Sequence, residues 1–75
     1  MGYNMKMYFH ANYRVIYRDK DDEQHIMLFP TVTPFNDKDD LMTVKRWSWT
    51  SACDTILDFC KGANYNLISI SIKES

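Results

Sequence analysis

Residues 6–18 read KMYFHANYRVIYR, and this stretch decides the fold. It is rich in aromatic and β-branched residues, which suit the half-buried surface of a β-strand. Side chains alternate between the two faces of a strand, so the run divides into two sets. The mainly apolar set comprises Phe9, Ala11, Tyr13, Val15 and Tyr17. The other set comprises Tyr8, His10, Asn12, Arg14, Ile16 and Arg18. The sequence therefore predicts a first strand over residues 6–18.

A second strand-like run follows at 24–32, after the charged segment DKDDE at 19–23. The two runs predict a hairpin with a solvated tip. One face of the second run carries Ile26, Leu28, Pro30 and Val32. Because proline has no backbone N–H, this strand is expected at a sheet edge or with a bulge. We assign Ile26 and Leu28 to the core, which leaves Met27 and Phe29 on the opposite face.

The segment PFNDKDD at 34–40 predicts a turn, and residues 41–49 are then interpreted as a third strand. A helix follows, beginning at Thr50 or Ser51, where Ser51 and Asp54 resemble a capping box. Its apolar stripe comprises Cys53, Ile56, Leu57 and Cys60. Lys61 and Gly62 are typical of a helix end.

An alternative is one long helix, capped by Asp39 or Asp40 and running to Lys61. We rank it second because residues 43–51 contain many mediocre helix formers, among them Thr43, Val44, Trp47 and Trp49.

Residues 67–73 alternate cleanly and predict a last strand with Ile68, Ile70 and Ile72 facing inward. The fold class is therefore α+β: a small, mainly antiparallel sheet in the order β-β-β-α-β, with one helix packed on one face. We expect a single compact domain over residues 1–75. The predicted core comprises Phe9, Tyr13, Val15, Ile26, Leu28, Val44, Ile56, Leu57, Cys60, Ile68, Ile70 and Ile72.

Composition narrows the function classes. Nine Lys and Arg against ten Asp and Glu leave a net charge of −1, which does not favour nonspecific binding to DNA or to anionic membranes. No apolar run approaches the roughly 20 residues that span a bilayer, so we expect a cytoplasmic protein without a membrane partner. The two cysteines, Cys53 and Cys60, lie too far apart on a helix to form a disulfide and are interpreted as small core residues.

The residue pattern does not favour catalysis. The sequence contains no glycine-rich phosphate loop, and the carboxylates cluster in predicted turns, so we expect no enzyme and no cofactor. The spacing of His10, His25, Cys53 and Cys60 matches no zinc motif, and we expect no metal site.

The stretch Lys45-Arg46-Trp47-Ser48-Trp49 indicates a binding surface, because large aromatics placed beside cations are typical of recognition sites. With one face of the sheet covered by the helix, the other is expected to carry His10, Arg14, Met27, Phe29, Lys45, Trp47 and Trp49. The predicted partner-binding residues are Trp47, Trp49, Lys45, Arg46 and Arg14. The simpler interpretation is that both tryptophans complete the core at a sheet edge.

The expected partner is a protein, bound through the aromatic and basic face of the sheet or through an edge strand. In size and element order the chain resembles the small inhibitors and regulators that bacteriophages and mobile elements encode, and this resemblance implies a host factor as the partner. Binding of single-stranded nucleic acid on the open sheet is one alternative. Self-association through an exposed strand, giving a homodimer, is another.

Overall fold

The computed structural model describes residues 6–73. It contains the strands β1 (Lys6–Arg18) and β2 (Gln24–Asn36), the helix α1 (Leu41–Ala63) and the strand β3 (Asn66–Lys73). The strands form one antiparallel sheet in the order β2-β1-β3, and α1 packs on one face of it. The predicted small α+β fold is confirmed. The edge position that Pro30 predicted for the second strand is confirmed as well.

The predicted third strand at 41–49 is wrong, because these residues form the first half of α1. The ranked alternative of one long helix is correct at its start: Asp40 has extended backbone angles, and its carbonyl accepts the Val44 N–H at 3.0 Å. Asp40 makes no capping hydrogen bond with its side chain. The capping box expected at Ser51 and Asp54 falls inside the helix and is therefore also wrong.

A single row of residues four apart explains why the helix is long. The buried positions of α1 are Val44, Ser48, Ala52, Ile56 and Cys60. Residues four apart lie on one face of a helix, so this row turns one stripe toward the sheet. Since Ser48 and Ala52 are small and not strongly apolar, hydrophobic periodicity alone does not reveal the first half of the stripe.

The helix ends at Ala63, one residue beyond the predicted Gly62. Asn64, rather than the glycine, adopts the left-handed conformation, with φ 58° and ψ 38°. The N–H of Asn64 donates to the carbonyl of Lys61 at 3.3 Å, and the N–H of Tyr65 donates to that of Cys60 at 2.8 Å. This pair of bonds is a Schellman motif, and it turns the chain directly into β3.

The core lies between the central strand and the helix. From β1 it takes Ala11, Tyr13 and Val15, as the alternation of that strand predicted, and from α1 it takes Ala52, Ile56 and Cys60. Phe9, Met27, Phe29 and Ile70 pack around this centre and are half-buried. The buried position of Cys60 agrees with its interpretation as a core residue.

The predicted faces of β2 are wrong. Its register pairs Tyr13 with Phe29 and Val15 with Met27, so Met27 and Phe29 lie beneath the helix. Ile26 and Leu28 lie on the uncovered face instead of in the core. When both alternating sets of side chains in a strand are apolar, the strand itself does not decide which set is buried. The register of the hairpin decides it.

Three other predicted core residues are exposed. Ile68 sits at a bulge, because Ile16 pairs with Ser69 while Tyr17 pairs with Leu67. The extra residue breaks the alternation of β3 at that point. Ile72 pairs with Tyr13 on the helix side of the sheet but is only half covered, and Leu57 lies on the outer surface of α1.

The register depends on the five-residue loop between β1 and β2, which Asp19 organises. Its Oδ1 accepts the N–H groups of Asp21 at 2.9 Å and Glu23 at 3.0 Å, and its Oδ2 lies 2.7 Å from Nε2 of His25. The Asp19 N–H also donates to the carbonyl of Glu23 at 2.9 Å. Asp22 takes the left-handed conformation that the tight reversal needs, with φ 64°.

A chain of hydroxyl groups joins the helix to two strands. The Tyr13 hydroxyl lies 2.7 Å from Oγ of Ser48, which lies 3.2 Å from Oγ1 of Thr31; Oγ1 donates to the carbonyl of Ala11 at 3.1 Å. Because Thr31 uses its proton on that carbonyl, Ser48 must donate to Thr31 and Tyr13 must donate to Ser48. Each buried hydroxyl in this hydrogen-bond network therefore has a partner.

We predict that Ser48→Ala lowers the free energy of unfolding by about 1–3 kcal/mol, since it leaves the buried Tyr13 hydroxyl without an acceptor. Tyr13→Phe should cost about 1 kcal/mol, and the double variant should cost less than the sum of the two. Urea denaturation of the four proteins measures the coupling. Strict additivity would show that the two hydroxyls do not interact.

We predict that the contribution of Asp19 depends on pH. The hydrogen bond with His25, followed by those from the loop N–H groups, holds the pKa of Asp19 below its ordinary value of 3.8. A carboxylate with a lowered folded-state pKa stabilises the fold above its unfolded pKa, and this stability is lost as the pH falls through the folded value. The stability gap between the native protein and Asp19→Ala should therefore be larger at about pH 5 than at about pH 2.5.

The matched control is Asp21→Ala, because Asp21 contributes its backbone N–H to this network. Denaturation of the control should show a smaller gap at both pH values. A gap for Asp19→Ala that stays constant in acid would contradict the proposed role of its carboxylate.

Candidate functional site

The face of the sheet opposite α1, here called the open face, is the candidate site. On β2 it presents five apolar residues at successive outward positions, here called the apolar strip. The strip comprises Ile26, Leu28, Pro30, Val32 and Pro34. All five are exposed; Ile26 is 64% accessible, Leu28 50% and Val32 56%. Contiguous exposed apolar surface on a small protein marks a place where another molecule binds.

The central strand extends this surface at both ends. Across the β1–β2 ladder, Ile16 pairs with Ile26 and Tyr8 with Pro34. Between them β1 presents the polar residues His10, Asn12 and Arg14, while β3 presents Ser69 and Ser71 beside β1. The open face is thus apolar along β2 and polar toward β3.

The charges on the open face have one sign. Its strand positions carry the four cations Lys6, Arg14, Arg18 and Lys73 and, within residues 6–73, no carboxylate. Arg18 contacts Asp22 of the hairpin loop at 3.3 Å, an exposed pair that contributes little to stability. The other described carboxylates lie in the two loops and on α1. The nearly neutral total charge therefore conceals a basic face.

The structure divides the five predicted partner-binding residues between two surfaces. Arg14 lies on the open face, where it pairs with Leu28 of the apolar strip. Lys45, Arg46, Trp47 and Trp49 lie on α1, on the other side of the sheet. The predicted open-face positions of Lys45 and both tryptophans are therefore wrong, as are those of Met27 and Phe29.

The two tryptophans flank Ser48 on opposite sides of the helix, because residues two apart do not share a helical face. Trp49 packs against Tyr13, with ring centroids 5.7 Å apart and an angle of 57° between the rings. Trp47 lines a shallow depression with Phe35 and Asp39. Both remain exposed, at 45% for Trp47 and 42% for Trp49, so each indole has a packed side and a free side.

The titratable side chains point to structural roles. Asp19, Glu23 and His25 bring three metal-type ligand atoms within 4.8 Å of one another, but both oxygens of Asp19 already accept the bonds that hold the hairpin loop. Burial raises the pKa of the Cys53 thiol, with a smaller contribution from Asp54, and burial also raises the pKa of Cys60. A raised pKa disfavours the thiolate that a nucleophile needs.

Sequence reasoning missed the apolar strip. Pro30 and Pro34 alternate with the same set as Ile26, Leu28 and Val32. The missing proline N–H indicates that the backbone of this set points away from the neighbouring strand, but it does not by itself decide which face of the sheet is buried. The hairpin register decides it, because it pairs Tyr13 with Phe29 and Val15 with Met27.

Comparison with known proteins finds no matching family model, no curated relative and no similar solved structure. Among the described residues, the one helix is not apolar enough to cross a bilayer. The functional argument therefore rests on the chemistry of the surfaces themselves.

We predict that Leu28→Ala changes the free energy of unfolding by less than about 0.5 kcal/mol, because Leu28 lies on the open face. The neighbouring Phe29→Ala should cost about 2 kcal/mol, since Phe29 packs beneath the helix. Urea denaturation of the two variants compares adjacent residues on opposite faces. A larger loss for Leu28 than for Phe29 would mean that the two faces of β2 are reversed.

Proposed function

We propose that this chain is a small non-enzymatic protein-binding domain, and that its open face binds a partner with an apolar patch bordered by carboxylates. The observation that carries the proposal is the apolar strip of β2 lying beside the cations of β1 and β3. The strip supplies area that becomes favourable when removed from water. The cations Arg14 and Lys73 supply the complementarity that selects and orients a partner.

The architecture of the chain supports this proposal. One helix packs on one face of the three-stranded sheet, and the apolar strip on the other face stays exposed. A bound protein would cover that strip.

Single-stranded nucleic acid is the less favoured ligand. Sheets that bind it stack bases on several aromatic side chains. Along the strands of the open face, Tyr8 is the one Phe, Tyr or Trp at an outward position of residues 6–73, and the remaining apolar residues are aliphatic or proline. The cations favour an anionic partner, but the aliphatic strip favours one with apolar side chains.

A second copy of the chain is also less favoured as the occupant. The open face carries cations and, within residues 6–73, no carboxylate, so two such faces set like charges against each other, and this disfavours the dimer. A different protein with carboxylates around its apolar patch avoids that cost.

The narrower proposal is that the partner is a host protein and the chain a phage- or mobile-element-encoded inhibitor. The helix surface with Lys45, Arg46, Trp47 and Trp49 remains the second route of binding that the sequence predicted. Its half-exposed indoles could contact a partner that reaches around the edge of the sheet. The two routes make different predictions for variants on the two surfaces.

We predict that affinity capture from the native cell lysate separates the routes through two matched pairs of variants. Leu28→Ser on the open face should lose the partner, and Leu57→Ser on the helix should keep it, although the two leucines are equally exposed at 50% and 51%. Arg14→Glu should weaken capture about tenfold or more, whereas Arg46→Glu should not.

Circular dichroism should be unchanged in all four variants, because each replaced side chain is exposed. Loss of capture with Arg46→Glu, or with both tryptophans changed to Ala, would assign binding to the helix and overturn the open-face proposal. A salt-sensitive gel shift with single-stranded oligonucleotides that depends on Arg14 would overturn it in favour of nucleic acid. A stable dimer in sedimentation that depends on Leu28 would overturn it in favour of self-association.

A further inference from the structure

Beyond the open face, the edge of β1 that faces β3 is paired along only part of its length within residues 6–73. β1 pairs with β2 along its whole length, from Lys6 to Arg18, but with β3 only from Asn12 to Arg18. Among residues 6–73, nothing pairs with residues 6–11 on the β3 side. A half-filled edge of this kind can accept an added strand.

The position of Pro30 shows which backbone groups this edge offers. Pro30 pairs with Asn12, and because proline has no N–H, this must be a non-hydrogen-bonded pair of the antiparallel ladder. The backbone N–H and C=O of Asn12 therefore point away from β2. Strand geometry repeats every two residues, so the backbone N–H and C=O groups of Lys6, Tyr8 and His10 also point away from β2, toward the unfilled edge.

The hydrogen bond of Thr31 supports this phase independently. Thr31 belongs to β2, and its Oγ1 donates to the carbonyl of Ala11. The Ala11 carbonyl therefore points toward β2, as the odd positions of β1 should. The backbone N–H and C=O groups of the even positions then point the other way, toward the unfilled edge.

The outer edge of β2 is much less suited to strand addition. The backbone N–H and C=O groups of its even positions point away from β1. Two of these positions, Pro30 and Pro34, have no N–H to donate. Proline on an edge strand is a known way of blocking strand pairing. Residues 6–11 of β1, by contrast, contain no proline and keep all their donors.

A cavity of about 540 Å³ lies where β3 ends, and it sets the chemistry of the added strand. It is lined by Phe9 and His10 of β1, by Ile72 and Lys73 of β3, by Lys45 of α1 and, on the β2 side, by Val32. Within residues 6–73, its lining contains two lysines and no carboxylate. Residues 6–11 place half-buried Met7 and Phe9 on the helix side of the sheet. They place Lys6 and His10 on the open face.

We propose that residues 6–11 bind an extended peptide segment of a partner protein, in which apolar side chains alternate with acidic ones. The apolar side chains lie toward Met7 and Phe9, and the acidic ones lie toward Lys6 and His10. The inference deepens the proposed function, since it takes the partner to be a protein. A second copy is less favoured as the occupant, because pairing two such edges sets Lys6 of each copy against His10 of the other and supplies no carboxylate to either lysine.

The probe is a blocked synthetic peptide of alternating valine and glutamate, about ten residues long. The readout is amide hydrogen exchange of the full chain. Saturating peptide should slow exchange at Tyr8 and His10 by about tenfold or more, since both amides gain acceptors. A valine–lysine peptide of equal length should bind about tenfold more weakly, because it opposes the lysines.

Two proline variants form a matched pair, since His10 lies on the unfilled edge of β1 and Ile26 on the outer edge of β2, outside the cavity. His10→Pro removes an edge donor and should weaken binding about tenfold, while His10→Ala keeps that donor and should bind much more tightly than the proline variant. Ile26→Pro removes a donor from the far edge and should bind like the native protein. Methylating the peptide nitrogens of glutamate, which face β1 in this arrangement, should abolish binding, whereas methylating those of valine should not.

The inference is overturned if the lysine peptide binds equally well, or if His10→Pro and Ile26→Pro behave alike. It is also overturned if the Tyr8 and His10 amides of the free chain already exchange slowly, which would mean that the chain itself or a second copy fills the edge. Leu28→Ser should bind the peptide normally. If the peptide fails while partner capture still depends on Leu28, strand addition is wrong and the open-face proposal stands.

Discussion

The register of the β1–β2 hairpin determines the rest of this structure. Five loop residues separate Arg18 from Gln24, so odd positions of β1 oppose odd positions of β2. A loop one residue shorter would oppose odd positions to even ones and place Ile26 and Leu28 beneath the helix. The hydrogen bonds of Asp19 define the observed loop, and a half-buried carboxylate at the start of the loop thereby selects which apolar residues are buried.

The helix α1 packs on the face of the sheet that this register makes apolar. A small residue on the helix permits its close approach to the strands. Ser48 is fully buried and contacts Tyr13 and Thr31, one from each of two adjacent strands. A larger side chain there would lift α1 from the sheet. The neighbouring Trp47 and Trp49 pass on either side, which is why each is half-exposed although the helix is firmly packed.

The elements whose signals are local could be predicted from the sequence. β1 and β3 alternate plainly, and the second half of α1 has an apolar stripe that periodicity reveals. The first half of α1 could not be recognised in this way, since Ser48 and Ala52 carry its buried stripe without being strongly apolar. The faces of β2 could not be assigned from its own residues, because Ile26 and Leu28 are as apolar as Met27 and Phe29. That assignment belongs to the loop and to β1, and so does the position of the candidate site.

Total charge was a poor guide to the binding chemistry, for a physical reason. A value of −1 describes the chain at distances much longer than its own width, whereas a partner at contact feels charges within about a Debye length, roughly 10 Å. The hairpin loop gathers carboxylates at one end of the sheet, and the loop before α1 gathers others near Lys6. Within residues 6–73, the charged residues that the strands between them place on the open face are all cations. An acidic partner would thus meet a basic surface at the centre of the sheet and repulsion at its ends, and this arrangement favours one docking position over a sliding encounter.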